Sequence, residues 1–187
     1  MNLEEYISVH NAIISDLVKL APQIDKISKI MVKAVQNGGK IFWMGNGGSA
    51  ADAQHLACEL VVRLKRQRPA IASLALTTDT SILTAAANDY DFSQIFSRQL
   101  EALCSPRDVV VGISTSGNSQ NVLSGIETAN KIGAFTVGLT GQNGGKLASI
   151  CSACIQVPST VTERIQEAHI FLGHVVCDIV EKSISND

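Results

Sequence analysis

Aromatic residues are scarce in this chain: one tryptophan, two tyrosines and five phenylalanines, 4% of 187 residues. The core is therefore expected to be aliphatic, drawn from a sequence that is 45% hydrophobic and long enough to bury it in one domain. A surplus of either charge is also missing. The net charge of -2 gives no general attraction for nucleic acid or an acidic membrane. No apolar run approaches the length that crosses a bilayer, and the opening MNLEEYISVHN is too acidic and polar for a secretory leader. These absences point to a cytoplasmic protein without nucleic-acid or membrane partners.

An even cysteine count is lacking too. Five cysteines do not read as a disulfide framework. Cys58, Cys104 and Cys177 fall in apolar segments of helical spacing, which predicts buried thiols in a reducing compartment. Cys151 and Cys154 have the two-residue gap of a redox pair. They lie between a helix end and a short strand, however, not at a helix start where a thiolate gains stabilisation.

What is present is an alternation of two patterns. The first forty residues carry apolar positions at helical spacing, among them Tyr6, Ile13, Leu17, Leu20, Ile24, Ile27 and Met31, with Pro22 suited to the first turn of a second helix. From Lys40 on, apolar runs at 41–44, 73–76, 109–113, 135–139 and 153–157 read as strands. Between them lie helical patterns at 48–65, 80–88, 92–103, 118–131 and 145–150, and a last one at about 161–183. Such alternation predicts a parallel sheet with helices on both faces. Thr160-Val-Thr-Glu163 has capping-box spacing at the start of the last helix. Arg63-Leu64-Lys65-Arg66-Gln67-Arg68 reads as a solvated helix end in favourable charge–dipole contact. With no repeat, low-complexity stretch or linker, residues 1–187 form one domain, residues 1–37 being an N-terminal helical pair and 38–187 the α/β core.

Three polar loops follow strands: Gly45-Asn46-Gly47-Gly48-Ser49, Ser114-Thr115-Ser116-Gly117-Asn118-Ser119, and the stretch Gly141 to Gly145. In open parallel sheets such loops, with their free N–H groups and helix N-termini, bind anions. The first lacks the GK[ST] of a P-loop and is not GxGxxG, which argues against nucleoside triphosphates and dinucleotides. A hydroxyl-lined turn with no dedicated lysine suits a terminal monophosphate.

Two helical fragments supply chemistry. His55 and Glu59, four apart, share a helix face, and Gln166 and His174, eight apart, lie two turns from one another on similar faces. Each fragment alone is ordinary: a His/Glu pair is commonly a surface contact, and a histidine in IFLGHVVCDIV commonly a hydrogen-bonded core residue. Their joint occurrence with the loops gives them weight. His169 stands about 140° round the helix from His174 and is expected to be structural; His10, outside every motif, is expected at the surface.

GNGGSAADAQHLACEL, LTTDTSILTAAANDYDFSQIFSRQ, GISTSGNSQNV and PSTVTERIQEAHIFLGHVVCDIVE together resemble the sugar isomerase (SIS) domain family, in order, from about residue 38 to the C-terminus. The resemblance implies a flavodoxin-like three-layer α/β sandwich, assembled as a homotetramer with active sites at subunit interfaces. It implies that Ser114, Thr115, Ser116 and Ser119 hold a sugar phosphate, that Asn46, Gly47, Gly48, Asn88 and Asp89 line the sugar, and that Glu59 and Gln166 also meet the substrate. Glu59 and His174 match the acid/base pair, and His55, Glu59, Gln166 and His174 match the ligands of one zinc ion per subunit.

The activity so implied is conversion of sedoheptulose 7-phosphate to D-glycero-D-manno-heptose 7-phosphate, which supplies heptose for lipopolysaccharide and other bacterial surface glycans. Moving a proton between C1 and C2 through an enediol needs a base for carbon and an acid for the neighbouring oxygen, and a carboxylate facing an imidazole meets that need. Two rivals come from other classes. One is a non-enzymatic relative of the same fold that binds the bacterial replication initiator DnaA, which lacks the full acid/base set; the other is a sugar-phosphate sensor.

Overall fold

The computed structural model describes residues 2–185. Its centre is five strands, β1 (Ile41–Gly45), β2 (Ser73–Ala75), β3 (Val109–Ile113), β4 (Phe135–Thr140) and β5 (Ala153–Gln156). All pair in parallel, in the order β2-β1-β3-β4-β5. This is the flavodoxin-like order, whose reversal of direction between β1 and β3 opens a crevice at the strands' carboxyl ends.

Among the described residues eight α-helices surround it: α1 (Leu3–Asp16), α2 (Ala21–Gln36), α3 (Gly48–Val61), α4 (Thr80–Asp89), α5 (Ser97–Leu103), α6 (Gln120–Ile132), α7 (Gly145–Ile150) and α8 (Thr162–Ile184). Strand alternation divides the core in two. Ile41 and Trp43 of β1 point to the face covered by α2, α3 and α8, where they join Ile27, Leu56 and Leu172. Phe42 and Met44 point to the opposite face, against Phe96, Leu100, Val122 and Ile126. The result is the expected three-layer sandwich. The core is aliphatic, as expected, apart from its largest fully buried side chains, Trp43, Phe42 and Phe96; Tyr6, Tyr90, Phe92 and Phe171 are exposed.

The N-terminal pair forms as expected. A 3₁₀ turn, Leu17–Leu20, joins its helices, and Pro22 occupies the first turn of α2, where its missing N–H costs nothing. α2 buries Ile24, Ile27 and Met31, whereas α1 buries nothing and leaves Leu3, Tyr6, Ile7 and Val9 exposed.

Several boundaries differ from expectation for identifiable reasons. The helix expected over 48–65 ends at Val61, because the basic run after it turns back and is held by α8. Far from being a solvated end, Arg68 and Glu181 form a fully buried ion pair, and Arg66 reaches Asp178 at 2.7 Å. The helix expected over 92–103 is split: Asp91 caps a short 3₁₀ turn, Phe92–Gln94, by accepting from Ser93 N–H, and α5 starts afresh at Ser97. The capping box does not form. Ser159 Oγ accepts from Val161 N–H at 3.1 Å, and no side chain caps α8. Cys177 is buried and Cys104 partly so, but Cys58 is exposed.

Candidate active site

Both crevice loops lie where β1 and β3 diverge, and they are tied across it. The carboxamides of Asn46 and Asn121 exchange two hydrogen bonds, Asn46 Nδ2 donating at 2.9 Å and Asn121 Nδ2 at 2.8 Å. Asn121 is buried and also accepts from Val122 N–H, so it anchors the β1 loop to the first turn of α6. The β1 loop turns sharply at Gly47, whose φ of 54° favours glycine, and α3 begins one residue later.

After β3 the hydroxyls of Ser114, Ser116 and Ser119 converge. Ser114 Oγ lies 3.0 Å from Ser119 Oγ and 3.5 Å from Ser116 Oγ. Ser119 occupies the N-cap of α6, yet its hydroxyl makes no bond to the helix, so the helix start is open to an anion. Thr115 and Ser116 line a polar pocket of about 310 Å³, closed by Gln142, Asn143, Ser159 and Thr160. The third loop supports the second. A side chain at Gly117, where φ is 67°, would meet Gly144 O; Gly141 N–H donates to Thr115 O and Leu147 N–H to Gly117 O.

The groups expected to act as acid and base stand on two neighbouring helices running side by side. On α3, His55 Nε2 lies 3.1 Å from Glu59 Oε1. Across from it, His174 Nε2 on α8 lies 2.8 Å from His55 Nε2, with the rings edge to face. Gly173 makes this approach possible, since a Cβ there would strike the Leu56 side chain. One donor atom each from His55, Glu59 and His174 falls within 4.8 Å of the others. Two imidazoles and a carboxylate are ordinary zinc donors, so these residues fit the expected ion. Gln166 stands at the other end of the α3–α8 seam, its carboxamide packed on Gly48.

Not every expected residue joins this group. Asn88 and Asp89 are exposed at the end of α4 and bonded to each other at 2.8 Å; Asp89 lines a separate groove with Tyr90 and Arg98. His169 is completely buried, its Nε2 3.1 Å from Thr140 O, and burial pushes its pKa down to about 4. It is structural, as expected. His10 lies at the surface, as expected, half-exposed and with Nδ1 2.7 Å from Glu167 Oε2 on α8.

Asp52 was not anticipated. It sits one turn before His55, and burial raises its pKa to about 6, opposed by the charge of His55. The signal was available, since residues 52, 55 and 59 follow a three- and four-residue spacing along one face. Asn121 had none, because its partner lies 75 residues away.

Known proteins agree with this architecture. A model of the SIS domain matches residues 5–141. The phosphoheptose isomerase of Aquifex aeolicus is 55% identical over 164 residues, covering 88% of this chain and 86% of that protein. That of Aneurinibacillus thermoaerophilus is 50% identical, covering 98% and 92%. The solved phosphoheptose isomerase GmhA of Neisseria gonorrhoeae superposes with a TM-score of 0.86 at 41% identity, over 97% of this chain and 100% of that one. The Francisella tularensis phosphoheptose isomerase gives 0.89 at 36% identity with the same coverage. The chain belongs to the SIS domain family, among its phosphoheptose isomerases.

Proposed function

We propose that this enzyme converts sedoheptulose 7-phosphate to D-glycero-D-manno-heptose 7-phosphate in the cytoplasm, for bacterial surface-glycan synthesis. The observation that carries the reading is the convergence of Glu59, His55 and His174 on the α3–α8 seam, in a fold whose hydroxyl-lined turn opens α6. The turn of Ser114, Thr115, Ser116 and Ser119 holds the phosphate, and Asn46, Gly47, Gly48 and Gln166 orient the sugar. Glu59 removes the proton from the carbon next to the carbonyl. His174 delivers a proton to the neighbouring oxygen, and the same pair in reversed roles completes the transfer through the enediol.

His55, Glu59 and His174 would hold a zinc ion; Gln166, the fourth expected ligand, packs instead on Gly48 at the other end of the seam and is left to the sugar. When bound, it supplies Lewis-acid polarisation of the substrate carbonyl. Glu59 serves both as ligand and as base, so its contact with the ion must be loose. Asn88 and Asp89 fit a different origin: in a homotetramer with interface active sites they reach the sugar from a neighbouring subunit. The exposed apolar face of α1 suits such an assembly.

Incubation with a panel of phosphorylated ketoses, followed for ketose-to-aldose conversion, tests the proposal. Selective turnover of sedoheptulose 7-phosphate is expected. Tight binding of sugar phosphates with no conversion of any would favour the sensor reading instead.

A further inference from the structure

Helix α3 ends two residues after Glu59, so the last four carbonyls, from Cys58 to Val61, have no partner within the helix. Three of them are met in a defined way. Cys58 O accepts from Val62 N–H at 2.8 Å and Leu60 O from Ile71 N–H at 3.1 Å. Glu59 O accepts from Arg68 Nη2 at 2.8 Å. The residue that presents the carboxylate to the site is thus gripped from behind by a guanidinium.

Arg68 is itself held. Its side chain is fully buried; Nη1 donates to Pro69 O at 3.0 Å, and Nε faces Glu181 Oε1 at 3.4 Å. Glu181 belongs to α8 and is equally buried. Its carboxylate accepts from Leu64 N–H and Lys65 N–H, both at 3.0 Å. Burial opposes its charge, but these N–H groups and the Arg68 cation prevail and hold the carboxyl below its ordinary range.

Glu181 follows His174 by seven residues, two turns that return to nearly the same face of α8. One stripe of α8 therefore meets α3 twice: at His174, where the chemistry lies, and at Glu181, where the end of α3 is fixed. Just before His174, Gly173 packs on Leu56, and between His174 and Glu181 Cys177 Sγ approaches Leu56 O at 3.9 Å.

We propose that the buried Arg68–Glu181 pair is a positioning device that sets Glu59 against His174 by joining the end of α3 to α8. The inference rests on Glu59 and His174 being the reacting pair. A surface ion pair at this point would hold little. A buried one, with its carboxylate and guanidinium bonded to main chain on both sides, fixes the separation of two helices on which the geometry depends.

Loss of one partner leaves a buried charge and destabilises the fold, so the test uses two variants that keep the interior compensated. Arg68→Lys retains the cation but cannot span Glu181 and the Glu59 carbonyl with one planar fork. The double variant Arg68→Met with Glu181→Leu replaces the pair by apolar side chains, an exchange that commonly preserves stability. Each is measured for Tm, for kcat and KM on sedoheptulose 7-phosphate, and for zinc affinity by competition with a chromogenic chelator, with Glu59→Gln in parallel.

With Tm near wild type, kcat is expected to fall about ten- to a hundredfold at nearly unchanged KM, and zinc affinity about tenfold or more. Wild-type kcat and zinc affinity in either folded variant would overturn the proposal. Full turnover in Glu59→Gln would instead overturn the assignment of the base. The zinc measurement decides the positioning role even if another sugar phosphate proves to be the substrate.

Discussion

The Nε2 atoms of His55 and His174 face each other across 2.8 Å, too close for both to carry a hydrogen. Glu59 Oε1 stands 3.1 Å from the His55 nitrogen, so the three side chains offer their donor atoms to one point, where a metal ion would fit.

Purified protein is accordingly expected to carry one zinc ion per chain. Chelators should remove it without unfolding the protein, since His55, Glu59 and His174 belong to neither apolar cluster. Binding should weaken in acid as the imidazoles protonate. Elemental analysis of wild type and His55→Ala checks this, with the variant expected to hold little metal. Equal zinc in both would place the ion elsewhere.

For the acid/base pair, Glu59→Gln and His174→Asn are each expected to lower kcat by about 10² or more. Circular dichroism and Tm establish that each variant is folded. A folded variant that turns over at the wild-type rate would remove its residue from the proposed mechanism.

Ser116→Ala and Ser119→Ala each delete a hydroxyl from the turn before α6. Each should weaken binding of the phosphorylated sugar by about 1 kcal/mol, roughly fivefold. A ketose without phosphate should be affected less, and comparison of the two ligands by calorimetry separates phosphate contact from general damage to the loop.

His169 makes stability depend on pH. Its pKa in the folded protein, about 4, lies below the unfolded value near 6.5, so the unfolded chain binds the extra proton first. The contribution is whole above about pH 6.5 and is lost progressively as pH falls toward 4. At full extent it is about 3 kcal/mol. Urea unfolding between pH 7.5 and 4.5 should show a steeper loss in wild type than in His169→Gln. Parallel curves would mean that His169 remains neutral in both states or is protonated in both.

Light scattering should report a mass near four times the 19.9 kDa chain. Charged substitutions on α1, such as Tyr6→Glu with Ile7→Glu, should lower that mass and reduce activity together. A fully active monomer would contradict interface active sites.

The strands and most helices could be read from the sequence because their signals are local. Uninterrupted apolar runs such as Val109 to Ile113 are buried on both faces, and His55 with Glu59 needs only helical spacing. What escaped depends on pairing across the fold. Arg68 looks like one more charge in a basic run until Glu181, more than a hundred residues later, is brought beside it, and Asn121 looks like an ordinary helix residue until Asn46 faces it. The end of α3 departs from its local pattern for the same reason: Glu181 draws the backbone at Leu64 and Lys65 out of the helix, and nothing near residue 62 announces that. Asn88 and Asp89 remain apart from the other expected site residues within one chain, and no local signal separates them from the rest of the motif.

Surface loops usually tolerate changes of length, and the stretch from Gly141 to Gly145 has the composition of one that should. Its backbone, however, presses on Gly117 and hydrogen-bonds to Thr115, so it works as a mould behind the hydroxyl turn. A single inserted residue there would touch no ligand and remove no hydroxyl, yet it would let the turn relax and make each arriving phosphate bear the entropy of ordering it again. Natural variation in loop length should therefore accumulate elsewhere on this surface, leaving a short segment of invariant length without a reacting group of its own.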